Sequence, residues 1–159
     1  MSVAFTKEGD LEAAAADLPD RPISPHPNLV TREGLAAIEA ALAEARAAYA
    51  AAREAGDVQT DRTAMARATR DLRYWSARRA SAQLVEPPEG SATLTFGGRV
   101  TLERDDGDER GYRIVGEDEA DPAAGSIAYV APLARALLGK SVGDSAKVGG
   151  HDYAIVGLG

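Results

Sequence analysis

The chain of 159 residues contains no cysteine, which excludes disulfides, thiol nucleophiles and cysteine-ligated zinc together. Histidine is nearly as scarce. His26 and His151 lie far apart, so they give no ligand spacing for a histidine metal site. Aromatic residues make up only 5% of the chain against 45% hydrophobic residues, so a core must be aliphatic and alanine-rich. Alanine at that density favours helix, where it loses no side-chain entropy. No apolar run approaches the roughly 20 residues that a membrane span needs. The N-terminus lacks the basic and then apolar order of a secretory signal. A net charge of −7 predicts solubility and argues against wholesale coating of nucleic acid. These absences together predict a cytoplasmic protein with no membrane partner, no metal of its own and no cofactor.

What is present divides into three textures. Residues 1–28 carry Pro19, Pro22, Pro25 and Pro27 within a short span, and each proline removes an amide donor and biases its predecessor away from helix. This segment reads as a flexible arm. At Thr31, a good N-cap, a helical pattern begins. Leu35, Ile38, Leu42, Ala45, Tyr49 and Ala52 alternate spacings of three and four, which is an a/d seam. Gly56-Asp57 supplies a helix stop and turn, and the spacing resumes at Met65, Ala68, Leu72 and Trp75 before Pro87-Pro88, with Leu84 and Val85 near its end. Two helices of about 25 residues, roughly 37 Å each at helical rise, pack antiparallel across so short a connection. Residues 29–86 are therefore predicted to be an antiparallel helical hairpin, a coiled coil with Tyr49 and Trp75 in its seam.

From residue 87 to 159 the period falls to two. Ala92–Phe96, "RVTLER", "GYRIVG", "SIAYV", "SAKV" and "YAIVGL" read as short strands, with Asp105-Asp106-Gly107-Asp108 as a hairpin turn. Pro132 opens one short helix and Gly139 closes it. The fold class is α+β: a helical hairpin followed by a small antiparallel sheet with one short helix.

Three stretches resemble the Gre transcription-elongation factors. "LVTREGLAAIEAAL" is similar to the opening of their first hairpin helix, and "AREAGDVQTD" occupies the place of their hairpin tip. "YRIVGEDEADPAAGSIAYVAPLARALLGKSVGD" resembles their C-terminal domain, and the likeness spans about residues 29–159. It implies an FKBP-like second domain that docks on RNA polymerase at the secondary channel, with Asp118, Glu119, Pro132, Leu133 and Arg135 in the matching docking motifs. It also implies that the coiled coil enters the channel, where acidic tip residues help hold the polymerase's Mg2+. On this reading the protein is an accessory factor and not an enzyme. It regulates elongation, with transcript cleavage in backtracked complexes as the activity to test.

Asp57 matches the first tip carboxylate, and Asp61 is the nearest following acid. Thr60 stands where the second carboxylate belongs, and a hydroxyl does not replace a charged ligand for a hard divalent cation. The residues fit better with Asp57 as a turn residue and Asp61 as the N-cap or a first-turn acid of the second helix. The arms also look about one heptad shorter than usual for the family, roughly 10 Å of reach. A channel binder that inhibits or competes without cleavage is therefore the alternative. Arg67, Arg70 and Arg73 can share a helix flank facing nascent RNA, DNA or acidic channel walls; they equally fit a solvated face paired with Glu39, Glu44 and Glu54. A prolyl isomerase lacks the aromatic residues to line its pocket, and a coiled-coil adaptor leaves the C-terminal motifs unexplained. His151 reads as an exposed turn residue.

Overall fold

The computed structural model describes residues 18–55 and 59–159, with the side chains of residues 59–61 outside that description. Asp57 lies outside the described residues, and so does most of the N-terminal arm. The described chain forms two compact units. One holds residues up to Pro25 together with Ile38–Ser81, and the other holds His26–Ala37 together with Ala82–Gly159.

In the helical unit, α1 spans Arg32–Glu54 and α2 spans Gln59–Ser81. At 23 residues each they are about 34 Å long at helical rise. The a/d reading holds position by position. Ile38, Leu42 and Ala45 are buried, Tyr49 and Ala52 are half-buried, and their intervening neighbours are exposed apart from a half-buried Ala41. Ala68 is buried on α2, with Met65, Leu72 and Trp75 half-buried. Arg79 near the end of α2 reaches Glu39 near the start of α1 at 3.0 Å, which fixes the pair as antiparallel.

The sheet unit begins before the helices. A two-residue strand β1, Leu29–Val30, pairs in parallel with β2, Gln83–Leu84. Leu84 and Val85 therefore lie beyond the end of α2, and the hairpin expected to reach residue 86 ends as helix at Ser81. The backbone explains the early stop: Gln83 N–H donates to Asn28 C=O at 2.9 Å and Val85 N–H to Val30 C=O at 3.0 Å. Those bonds replace helical ones just ahead of prolines that cannot continue a helix.

Five further strands follow: β3 Arg99–Arg104, β4 Glu109–Val115, β5 Ser126–Ala128, β6 Ser145–Val148 and β7 His151–Leu158. They form one sheet in the order β5-β4-β3-β7-β6. The expectation of an antiparallel sheet needs correction at one edge, because β4 and β5 run parallel. A tight turn would have forced an antiparallel pair; here residues 116–125, with a 3-10 turn at Pro122–Ala124, carry the chain back to run alongside β4. The short helix α3, Pro132–Leu137, has proline at its first turn and buries Ala134 and Leu137 completely. They join Leu102, Ile114, Ile127 and Ile155 in the core.

Ala92–Phe96 is not a strand. Leu94 and Phe96 are buried in the core, which accounts for the alternation. The backbone of Leu94 instead exchanges bonds with the loop after α3, donating to Lys140 C=O and accepting from Gly139 N–H at 2.8 Å each. Gly139 can close α3 there because its φ of 83° is one that side chains resist.

Candidate functional site

Thr31 is the N-cap that the sequence suggested. Its Oγ1 accepts from Gly34 N–H at 3.0 Å, and its carbonyl accepts from Leu35 N–H at 2.9 Å. The same hydroxyl donates to the Glu119 carboxylate, whose oxygens lie at 2.7 and 2.6 Å. A helix start is thus tied to a turn distant in sequence by an amide–hydroxyl–carboxylate relay. Thr31 is buried to 1% exposure, so this relay is largely shielded from competing water.

Two glycines make the approach geometrically feasible. A Cβ on Gly34 would meet Glu119 Oε2 at 2.4 Å, and one on Gly116 would meet Leu29 O at 2.3 Å. Two ion pairs flank the relay. Arg32 Nε donates to Glu86 Oε1 at 3.0 Å, and Arg113 Nη2 donates to Glu33 Oε2 at 3.2 Å while its Nε donates to Gly97 C=O. Thr31, Arg32, Glu33, Val85, Glu86, Pro87 and Arg113 line an open groove of about 310 Å³. The backbone amide of Glu33 and then the Arg113 guanidinium hold the Glu33 carboxyl below its usual range.

The residues expected to dock fall into two sets. Glu119 is engaged within the chain by Thr31. Asp118 occupies the same turn and also has a partner within the chain. On α3, Leu133 is half-buried against the core, whereas Pro132 and Arg135 are exposed. The outward residues of that helix are therefore the proline and the arginine.

The arginines of α2 also separate. Arg67 is exposed. Arg70 is half-buried, with Asp71 at 3.9 Å. Arg73 is exposed and pairs with Asp20 at 3.2 Å. Further along the same helix, Arg78 is buried to 2% exposure and Arg79 pairs with Glu39. Of the glutamates named as partners for the arginine flank, Glu39 is paired among the described residues, with Arg79 and not with Arg67, Arg70 or Arg73. Asp61 falls in the first turn of α2, and its side chain lies outside the described residues, as does Asp57.

At the far end of the sheet, the turn after β3 is clipped to the start of β7. His151 Nδ1 lies 3.0 Å from Asp105 Oδ1, and Asp152 N–H donates to Asp105 Oδ2 at 3.3 Å. The hydrogen bond to His151, followed by that from Asp152, lowers the Asp105 carboxyl. Arg104 binds Asp106 beside it and holds that carboxyl well below the usual range. Among the described residues no cluster of His, Asp or Glu could hold a metal, and no helix is long and apolar enough to cross a membrane.

Sequence reading missed Gly34, Gly116, Arg113 and Arg21. A glycine inside the first turn of a helix, where alanine is preferred everywhere else, was the available signal for Gly34.

Residues 89–156 match the family model described as "Transcription elongation factor, GreA/GreB, C-term". The transcription elongation factor GreA of Desulfovibrio desulfuricans is 34% identical over 151 residues, which covers 86% of this chain and 92% of that protein. The GreA of Paracoccus denitrificans is 43% identical over 82 residues, 48% of this chain. The match spans about half the length of that relative and of the comparable ones, 53% in this case. A crystal structure of GreA factor homolog 1 of Thermus thermophilus aligns over 84% of this chain and 99% of its own, at 21% identity and a TM-score of 0.40. With a near full-length relative at that identity and a family model over the sheet unit, this chain belongs to the GreA/GreB family of transcription elongation factors.

Proposed function

We propose that this chain binds RNA polymerase at its secondary channel and regulates elongation as an accessory factor. The observation that carries the reading is the near full-length match to a GreA, on a chain that pairs an antiparallel helical hairpin with a compact sheet unit. The exposed Pro132 and Arg135 of α3 supply the docking contact, with Leu133 behind them joined to the core. A proline at such a surface offers an apolar, rigid contact that loses little entropy on binding. Glu119 and Asp118 act at one remove, by holding the turn that lies before β5.

Channel occupancy, with weak cleavage stimulation or none, is the reading favoured for the tip. The donor set there is incomplete for the polymerase's Mg2+, because Thr60 stands in the second acidic position and contributes no charge. No cleavage step is therefore assigned to Asp57 or Asp61. While Asp20 holds Arg73 and Arg70 is half-buried, Arg67 is the exposed arginine of this flank that faces nascent RNA or a channel wall.

The test is competition with an authentic GreA for core polymerase, combined with a cleavage assay on a backtracked complex. The wild type should displace GreA, and Pro132→Glu should lose that competition while keeping its fold, since the side chain points outward. Failure of the wild type to compete would overturn the polymerase reading. Undiminished competition by folded Pro132→Glu would overturn the docking assignment, and robust cleavage by the wild type would overturn the discount of the tip.

A further inference from the structure

Residues 18–25 lie against α2 within the helical unit, and their burial has a period of three. Leu18, Arg21 and Ser24 are half-buried, whereas Pro19, Asp20, Pro22, Ile23 and Pro25 are exposed. Three residues per turn is the repeat of a polyproline II strand, and prolines at 19, 22 and 25 keep one edge free of proline rings. The edge they leave faces the helix. Because proline has already restricted the unbound chain, laying this segment down loses less conformational entropy than an ordinary tail would.

What the segment covers is specific. The Arg21 guanidinium lies 3.8 Å from the centre of the Tyr74 ring and 5.4 Å from that of Trp75. The two rings form an edge-to-face step at 4.9 Å. Arg21 also reaches Asp71 at 3.6 Å, and Asp20 reaches Arg73 at 3.2 Å. The chain thus supplies both charges of a two-rung clamp: an acid on the helix's arginine and an arginine on the helix's acid and aromatics. Aromatic faces beside arginines are what a single-stranded polyanion binds, by phosphate pairing and base stacking.

We propose that residues 18–25 form an intramolecular cover over this basic and aromatic face, held by Asp20 and Arg21 and displaced by single-stranded nucleic acid. The cover neutralises Arg73 and occupies the Tyr74 ring, so the face opens only to a ligand that outcompetes both. Exposed ion pairs are weak and salt-screened, while the guanidinium–ring contact is less so; the cover is therefore loose enough to be lifted. Every contact in the cover lies within the helical unit, so its test is independent of polymerase docking through α3.

Trp75 is the only tryptophan of the chain, so its fluorescence reports on the cover directly. The experiment compares the full chain with the double variant Asp20→Asn, Arg21→Ala, both checked for helix content by circular dichroism. Acrylamide should quench Trp75 more strongly in the variant, because the ring loses its lid. Equal quenching would overturn the cover. An oligouridylate labelled for anisotropy should bind the variant more tightly at low salt. Freeing one arginine should steepen the dependence of log affinity on log salt by about 0.7, the value for one phosphate on a single strand. Restoring the wild-type slope with Arg73→Ala in the variant would place the freed charge at Arg73. An unchanged slope, or an equal gain in affinity for polyglutamate, would overturn the assignment to nucleic acid.

Discussion

Gly34→Ala ought to stabilise an ordinary helix, yet here it is expected to destabilise the protein. Alanine gains about 1 kcal/mol over glycine in a helix interior. The added methyl would meet Glu119 Oε2 at 2.4 Å and Cδ at 3.0 Å, with Thr31 Oγ1 at 3.3 Å. The carboxylate must swing away, and the relay from Gly34 N–H through Thr31 to Glu119 breaks at its charged end. A hydrogen bond to a charged group contributes about 1.5–3 kcal/mol, so the net expectation is a loss of roughly 0.5–2 kcal/mol. At roughly 2–4 °C per kcal/mol for a chain of this size, Tm should fall by a few degrees. The decisive comparison is the same substitution in a Glu119→Ala background. With no carboxylate to displace, alanine at 34 should there become stabilising by up to about 1 kcal/mol. Urea denaturation of the four proteins closes the cycle, with an expected coupling of about 1–3 kcal/mol. The same effect of Gly34→Ala in both backgrounds would refute the relay, as would a stabilised single variant.

Two further outcomes follow from the same unit. Gly116→Ala should cost more than Gly34→Ala, of the order of 2–4 kcal/mol, because its Cβ meets the backbone oxygen of Leu29 at 2.3 Å and no rotamer can yield; a Tm within a degree of wild type would contradict it. Acid should weaken the fold: Glu33, Asp105 and Asp106 all have lowered carboxyl pKa values, so their stabilisation is complete at neutral pH. It is lost as pH falls below the ordinary values of 4.5 and 3.8 towards the depressed ones. A urea midpoint that does not drop between pH 5 and roughly pH 3 would count against these pairs.

The seam of α1 was legible because helical burial repeats in the sequence: Leu35, Ile38, Leu42, Ala45, Tyr49 and Ala52 are the residues that turn inward. Ala92–Phe96 was misread for a related reason. Alternation records which side chains are buried, and Leu94 and Phe96 are, but it says nothing about whether the backbone finds a partner strand. The direction of β5 was invisible because a three-residue strand looks the same whichever way it pairs. Glu119 was named for its docking motif alone, and its partner Thr31 stands 88 positions away, beyond any local pattern. The arm posed the opposite difficulty. Prolines and isolated charges carry no apolar signal, so Arg21 on Tyr74 could not be told from an arginine in water.

The two-residue ladder between Leu29–Val30 and Gln83–Leu84 makes the helical pair an excursion that leaves and returns through hydrogen-bonded neighbours. Its length is then nearly independent of the sheet that anchors it. Closing a longer excursion costs only about 0.6 kcal/mol for each doubling, so whole heptads can be added to or removed from both helices together with little change in the stability of the anchor. Reach is therefore an adjustable dimension of this architecture. A lengthened or exchanged hairpin grafted between Thr31 and Ala82 should inherit the same foundation, provided that Thr31 and Gly34 are carried with it.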